Sequence, residues 1–103
     1  MLLIREVFHC KPGKVKPMIE KSLAMASLSE KSGMGKMKIL TDFAGGQYWT
    51  IVYEMEVEDL HAFDDMMQGK GYKAEDMKEM ETIMEGYHDL IDHGHREIYK
   101  VEG

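Results

Sequence analysis

Residues 47–57, Gln-Tyr-Trp-Thr-Ile-Val-Tyr-Glu-Met-Glu-Val, constrain the fold more than any other stretch. Trp49, Ile51, Tyr53, Met55 and Val57 share one parity, and Tyr48, Thr50, Val52, Glu54 and Glu56 share the other. A period of two with one apolar parity is the pattern of a strand packed on one side. Leu2 to Cys10 is a second strand, ended by the turn Lys11-Pro12-Gly13. Its parities are Leu2, Ile4, Glu6, Phe8 and Leu3, Arg5, Val7, His9. Both carry apolar side chains, as in a strand interior to a sheet covered on both sides.

Two helical stretches separate the strands. From Lys14 to about Lys31, Val15, Met18, Ile19, Ser22, Met25, Ala26 and Ser29 recur at helical spacing. Pro17 falls in the first turn, where its missing N–H matters little, and Gly33 and Gly35 end the helix. Asp59 is placed to cap a second helix whose short stripe is Leu60, Phe63 and Met67. Gly69-Lys70-Gly71 interrupts it, and helix resumes near Ala74 with Met77, Met80, Ile83, Met84 and Tyr87 on one face. Lys36 to Asp42 is a weaker strand, linked to the next by Phe43-Ala44-Gly45-Gly46, whose glycines suit a tight hairpin. His95 to Val101 forms the last strand, and His88 to His93 is ambiguous between helix, loop and strand.

The order is strand-helix-strand-strand-helix-strand within one domain over residues 1–103. This predicts an α+β, ferredoxin-like βαββαβ fold with a four-stranded antiparallel sheet and helices on one face. The other face, with Tyr48, Thr50, Val52 and Glu54, is then bare and too apolar for water. Packing two such sheets face to face, as a dimeric α/β barrel, covers that face and encloses a cavity. The expected partner is therefore a second copy of the chain.

Charge removes other partners. With 13 Lys and Arg against 19 Asp and Glu, the net charge is −6. Nucleic acid and anionic membrane surfaces need clustered cations, so neither is expected as a partner. The N-terminus is charged by Arg5, too early for a signal-peptide core, and no apolar run reaches membrane-spanning length. The single cysteine, Cys10, rules out an intrachain disulfide framework. These features lead to an expectation of a cytoplasmic protein. Eleven methionines is a high count, compatible with core filling or with an adaptable binding surface.

Ile4 to Ile19, Ile-Arg-Glu-Val-Phe-His-Cys-Lys-Pro-Gly-Lys-Val-Lys-Pro-Met-Ile, resembles the opening of NIPSNAP-type domains. Those begin with a strand bearing charged and aromatic residues, then a Lys-Pro-Gly-type turn and a helix. Gly45-Gly46, the aromatic strand from Trp49 to Tyr53 and Asp59-Leu60 extend the resemblance over nearly the whole chain. The wider group is the dimeric α/β-barrel superfamily, which includes antibiotic-biosynthesis-type monooxygenases, haem-handling proteins and isomerases. The resemblance implies a homodimer with a cavity in each subunit, but no single chemistry. It also favours Ile4, Glu6 and Phe8 facing that cavity.

Three side-chain groups are candidates for chemistry. Glu6 and Glu54 stand in strands expected to be adjacent. Facing one cavity, they would form a carboxylate pair with at least one raised pKa, a source of general acid or base. If the first strand has the other parity, Arg5 pairs with Glu54 instead. Tyr48, Thr50, Phe8 and His95 are candidate ligand contacts, and Trp49 is expected in the core. His93 and His95, on one face of a strand and about 7 Å apart, are candidate metal ligands, with His9 as a third. Cys10, beside Lys11, lacks an evident base.

The leading expectation is a homodimer that binds a small molecule, with or without catalysis. A cofactor-free monooxygenase or isomerase acting on an aromatic or apolar substrate is the alternative, followed by metal or haem binding through His93 and His95. No cofactor is expected under the first two.

Overall fold

The alternation read in the sequence becomes one sheet in the computed structural model, which describes residues 1–103. The strands are Leu2–Cys10 (β1), Lys38–Thr41 (β2), Thr50–Val57 (β3) and Ile91–Lys100 (β4). The helices are Val15–Lys31 (α1), Leu60–Met67 (α2) and Ala74–Met84 (α3), with a single 3₁₀ turn at Tyr87–Asp89. Strand order is β2-β3-β1-β4, and every neighbouring pair is antiparallel. This is the ferredoxin-like α+β fold, with β1 in the interior as its two apolar parities required.

Register decides which parity of β1 meets the helices. Glu6 lies opposite Tyr53, and Phe8 opposite Ile51. Ile51 and Tyr53 form the buried core with Cys10 and Met18 of α1, so Ile4, Glu6, Phe8 and Cys10 share the helix-covered face. Two serines lie fully buried on α1, Ser22 and Ser29. Ser22 accepts the Tyr53 hydroxyl at 2.6 Å and donates to the Met18 carbonyl at 2.7 Å. A buried phenol needs a partner, and a small hydroxyl supplies one without opening the helix–sheet packing. Burial pushes the Tyr53 hydroxyl pKa up, and the hydrogen bond to Ser22 opposes that only in part.

The helices are anchored by side chains at their ends. Asp59 caps α2 by accepting the Ala62 N–H at 2.8 Å. Lys21 of α1 donates to the Ile83 and Glu85 carbonyls at 3.0 and 2.8 Å. A cation at a helix C-terminus satisfies free carbonyls and complements the dipole, and this one ties α3 to α1. None of the helices is long and apolar enough to cross a membrane.

Three local expectations are corrected. β4 begins at Ile91, not His95, and Gly94 lies inside it instead of bounding it. A Cβ there would stand 2.8 Å from the Val7 carbonyl oxygen and 3.1 Å from the Phe8 ring, so strand and glycine are compatible because β1 presses against that point. β3 begins at Thr50, which leaves Trp49 outside the pleat and 45% exposed, not in the core. In the connecting loop it is Trp49, at φ 58°, that takes the left-handed conformation, while Gly45 and Gly46 do not.

Candidate functional site

Arg5 and Glu6 are adjacent in sequence and point to opposite faces of the sheet, dividing the candidate residues between two environments.

On the open face, Arg5 donates through Nε to Glu54 at 3.0 Å and through Nη1 to Glu97 at 2.7 Å. Glu97 also accepts from the Tyr99 hydroxyl at 3.1 Å and lies 2.9 Å from His95 Nε2. The bond to His95, that from Tyr99 and the charge of Arg5 hold the Glu97 carboxyl below its ordinary pKa. Burial lowers the Arg5 pKa, but Glu54 and Glu97 outweigh it, and the guanidinium stays raised. His9 and His93 are direct cross-strand partners with ring centroids 4.5 Å apart, and His95 is 6.2 Å from His9. Partial burial, then repulsion by His93 and His95, keeps the His9 pKa below its ordinary value. His9 Nδ1 is 3.1 Å from the Thr50 hydroxyl. An open groove runs along this face past Arg5, Thr50, Val52 and His95 to the Asp42–Gln47 loop.

The three histidines thus come together on one face, as their strand positions implied. As placed, no three His, Cys, Asp or Glu side chains are grouped to hold one metal ion. The face is also less apolar than expected. Leu3, Val7, Leu40 and Val52 share it with three carboxylates, two lysine or arginine side chains and three imidazoles.

On the covered face, the sheet and helices line a partly open cavity of about 220 Å³. Eight of the eleven methionines line it: Met25 and Met34, Met37 and Met55, Met66 and Met67, Met77 and Met80. Ile4, Phe63 and Tyr53 complete the apolar wall, and Glu6 and Ser29 add the remaining polar groups. Ser29 is already engaged, donating to the Gly35 carbonyl at 3.0 Å. Glu6 accepts from Nε of Arg96, its cross-strand partner, whose guanidinium lies 5.0 Å from the centre of the Phe63 ring. The site is apolar, deformable because thioether chains repack easily, and carries charge on one wall only.

Several sequence expectations change here. Glu6 and Glu54 occupy opposite faces, so the carboxylate pair does not form; the alternative, Arg5 with Glu54, is the arrangement present. Phe8 lies on the covered face, edge-on to Tyr53 at 5.1 Å and Tyr87 at 6.2 Å, away from Thr50 and His95. Tyr48 projects from the loop before β3 and is 81% exposed, not on the sheet face. The Cys10 thiol is buried; that burial, then the charge of Asp42, pushes its pKa up, which opposes thiolate chemistry. Sequence reasoning missed the methionine cavity, although the methionine count and the helical spacing of Met77 and Met80 were its signal.

No family model matches the chain, and no curated protein does. Solved structures do match in fold. A NIPSNAP domain protein from Burkholderia xenovorans superposes with a TM-score of 0.72 at 11% identity, covering 98% of this chain and 94% of its own. A NIPSNAP family protein from Agrobacterium tumefaciens gives 0.71 at 12% identity, covering 96% and 90%. A dimeric protein of unknown function with a ferredoxin-like fold from Bacteroides fragilis gives 0.64 at 16% identity, covering 97% and 96%. At such identities the likeness establishes the fold and nothing further.

Proposed function

We propose that this chain is a NIPSNAP-like, homodimeric small-molecule-binding protein that holds an apolar ligand among its methionines. The methionine cavity carries this reading. A well-packed protein leaves few hollows larger than a water molecule, and this partly open one is lined by flexible thioethers with one carboxylate, Glu6, in its wall. It is smaller than the roughly 300–1,000 Å³ of drug-sized sites, which favours a small ligand.

The homodimer is supported by area. The chain exposes 6936 Å², against about 6,000 Å² for a free monomer of its mass. The excess is on the order of the 800 Å² each partner contributes to a standard interface. The molecule is a slab 19 Å thick, with the open sheet as one broad side. Face-to-face packing of two sheets, as in a dimeric α/β barrel, fits that shape.

Titration with octan-1-ol and 1-naphthol, followed calorimetrically, tests the binding reading. At least one should bind, and Met25→Trp, which fills the cavity, should abolish binding while the fold persists. Equal heats for the native chain and the filled variant would overturn it. Catalysis, as a cofactor-free monooxygenase or isomerase, is a second reading favoured by the Glu6 carboxylate in the cavity wall. It requires turnover that Glu6→Gln removes.

A further inference from the structure

The chain's two arginines, Arg5 of β1 and Arg96 of the neighbouring edge strand β4, are partnered differently. Arg5 on the open face binds two carboxylates, Glu54 through Nε and Glu97 through Nη1. Arg96 on the covered face binds one, Glu6, also through Nε. Its Nη groups have no side-chain or backbone partner in the chain, and the guanidinium lies over Phe63. Glu6 and Phe63 both line the methionine cavity. Guanidinium carries five N–H donors in a planar fork that matches a carboxylate, so one carboxylate at Nε leaves an edge able to take a second.

We propose that the methionine cavity takes an amphipathic carboxylic acid, with its apolar chain among the methionines and its carboxylate on the Nη edge of Arg96. This inference rests on the cavity being a ligand site and adds the class of ligand. Glu6 is then a positioning residue, fixing the guanidinium through Nε so that the Nη edge is presented, as Glu54 does for Arg5. Cation–π contact with the Phe63 ring, 5.0 Å away, restrains the same group. The Glu6 charge tunes selectivity as well, because the site neutralises only part of an added negative charge. A monoanion with a large apolar body is therefore favoured over a small dianion. The cavity volume suits a medium-length chain or a single substituted ring.

Calorimetric titration of the full chain at neutral pH with octanoate and octan-1-ol, which share an apolar body, tests this. Octanoate should bind more tightly than octan-1-ol. Arg96→Ala should weaken octanoate about tenfold or more, the usual weight of a charge-assisted hydrogen bond, and octan-1-ol by less than about threefold. Arg96→Lys keeps the charge and loses the fork, so octanoate affinity should fall between the two. Added salt should weaken octanoate alone. Equal weakening of both ligands by Arg96→Ala, or binding of octan-1-ol without octanoate, overturns the acid specificity and leaves the cavity as a neutral site. Failure of both to bind overturns this proposal, and the cavity reading falls with it when 1-naphthol fails to bind as well. Arg96 is exposed on an edge strand, so its variants should fold; if Arg96→Ala does not, Arg96→Lys supplies the same comparison.

Discussion

The two faces of the sheet use similar residue types to opposite ends. On the open face, Arg5, Glu54, Glu97, Tyr99 and His95 join in one hydrogen-bonded network. On the covered face, Glu6, paired with Arg96, is the one charged residue in the wall of an apolar cavity, and the Tyr53 and Ser29 hydroxyls there are already engaged. A closed network gives a surface suited to packing against a matching surface. An isolated pair beside flexible thioethers gives a surface suited to a ligand. The number of partners each charge already has distinguishes the two faces better than residue type does.

The difference should be visible in stability first. Ile51 is fully buried at the centre of the covered face, and Ile51→Ala should cost about 3 kcal/mol in urea unfolding, the usual toll of a core cavity. A loss under about 1 kcal/mol would mean that this face is too loosely packed to be called a core. Val52, its neighbour on the open face, should behave differently. Val52→Glu places a charge in the middle of the surface proposed to pair. Light scattering should then show the monomer in place of the dimer, with melting that no longer depends on protein concentration. An unchanged mass would remove the open face from the interface.

Smaller effects sharpen the contrast further. Glu54→Gln removes one arm of the Arg5 network and should lower stability by about 1 kcal/mol, reduced at high salt because the pair is partly exposed. The pH response should come mainly from the open face. The His9 pKa is lowered in the folded chain, so the unfolded chain takes up the proton first. Stability should therefore fall as pH drops below about 6.5, and level off once folded His9 is protonated too. His9→Asn should flatten that decline. The Glu97 pKa is also lowered, so its contribution is present above the unfolded carboxylate value near 4.5 and lost as pH falls below it. His95→Ala should move that loss to higher pH, read from acid unfolding followed by circular dichroism.

How much was legible varied with the local signal. β3, β1, α1 and the Asp59 cap were readable because each rests on local physics: strict alternation, a turn, helical spacing, an oxygen at an N-cap. β4 was readable only from His95 onward, because Gly94 looks like a boundary until Phe8 and Val7 are seen against it. Trp49 looked like core because alternation was carried back to Gln47, three positions before β3 begins at Thr50. The three histidines were brought together as expected, since cross-strand neighbours follow from topology. The pairing of Glu6 with Glu54 failed because it needed a parity that two apolar faces could not supply.

The sequence by itself determined the element order, and through it a four-stranded ferredoxin-like sheet with β1 inside. Period-two and helical patterns are properties of the local chain, and the connections allow few arrangements of them. Tertiary structure alone decided which way β1 faces. Sliding a strand by one residue exchanges its faces, and with Ile4 and Phe8 on one parity and Leu3 and Val7 on the other, burial of either is favourable. Pairing Glu6 with Tyr53 and Arg5 with Glu54 settled the matter. That one register puts Arg5 into a closed network on the open face and Glu6, with Arg96, at the wall of the methionine cavity.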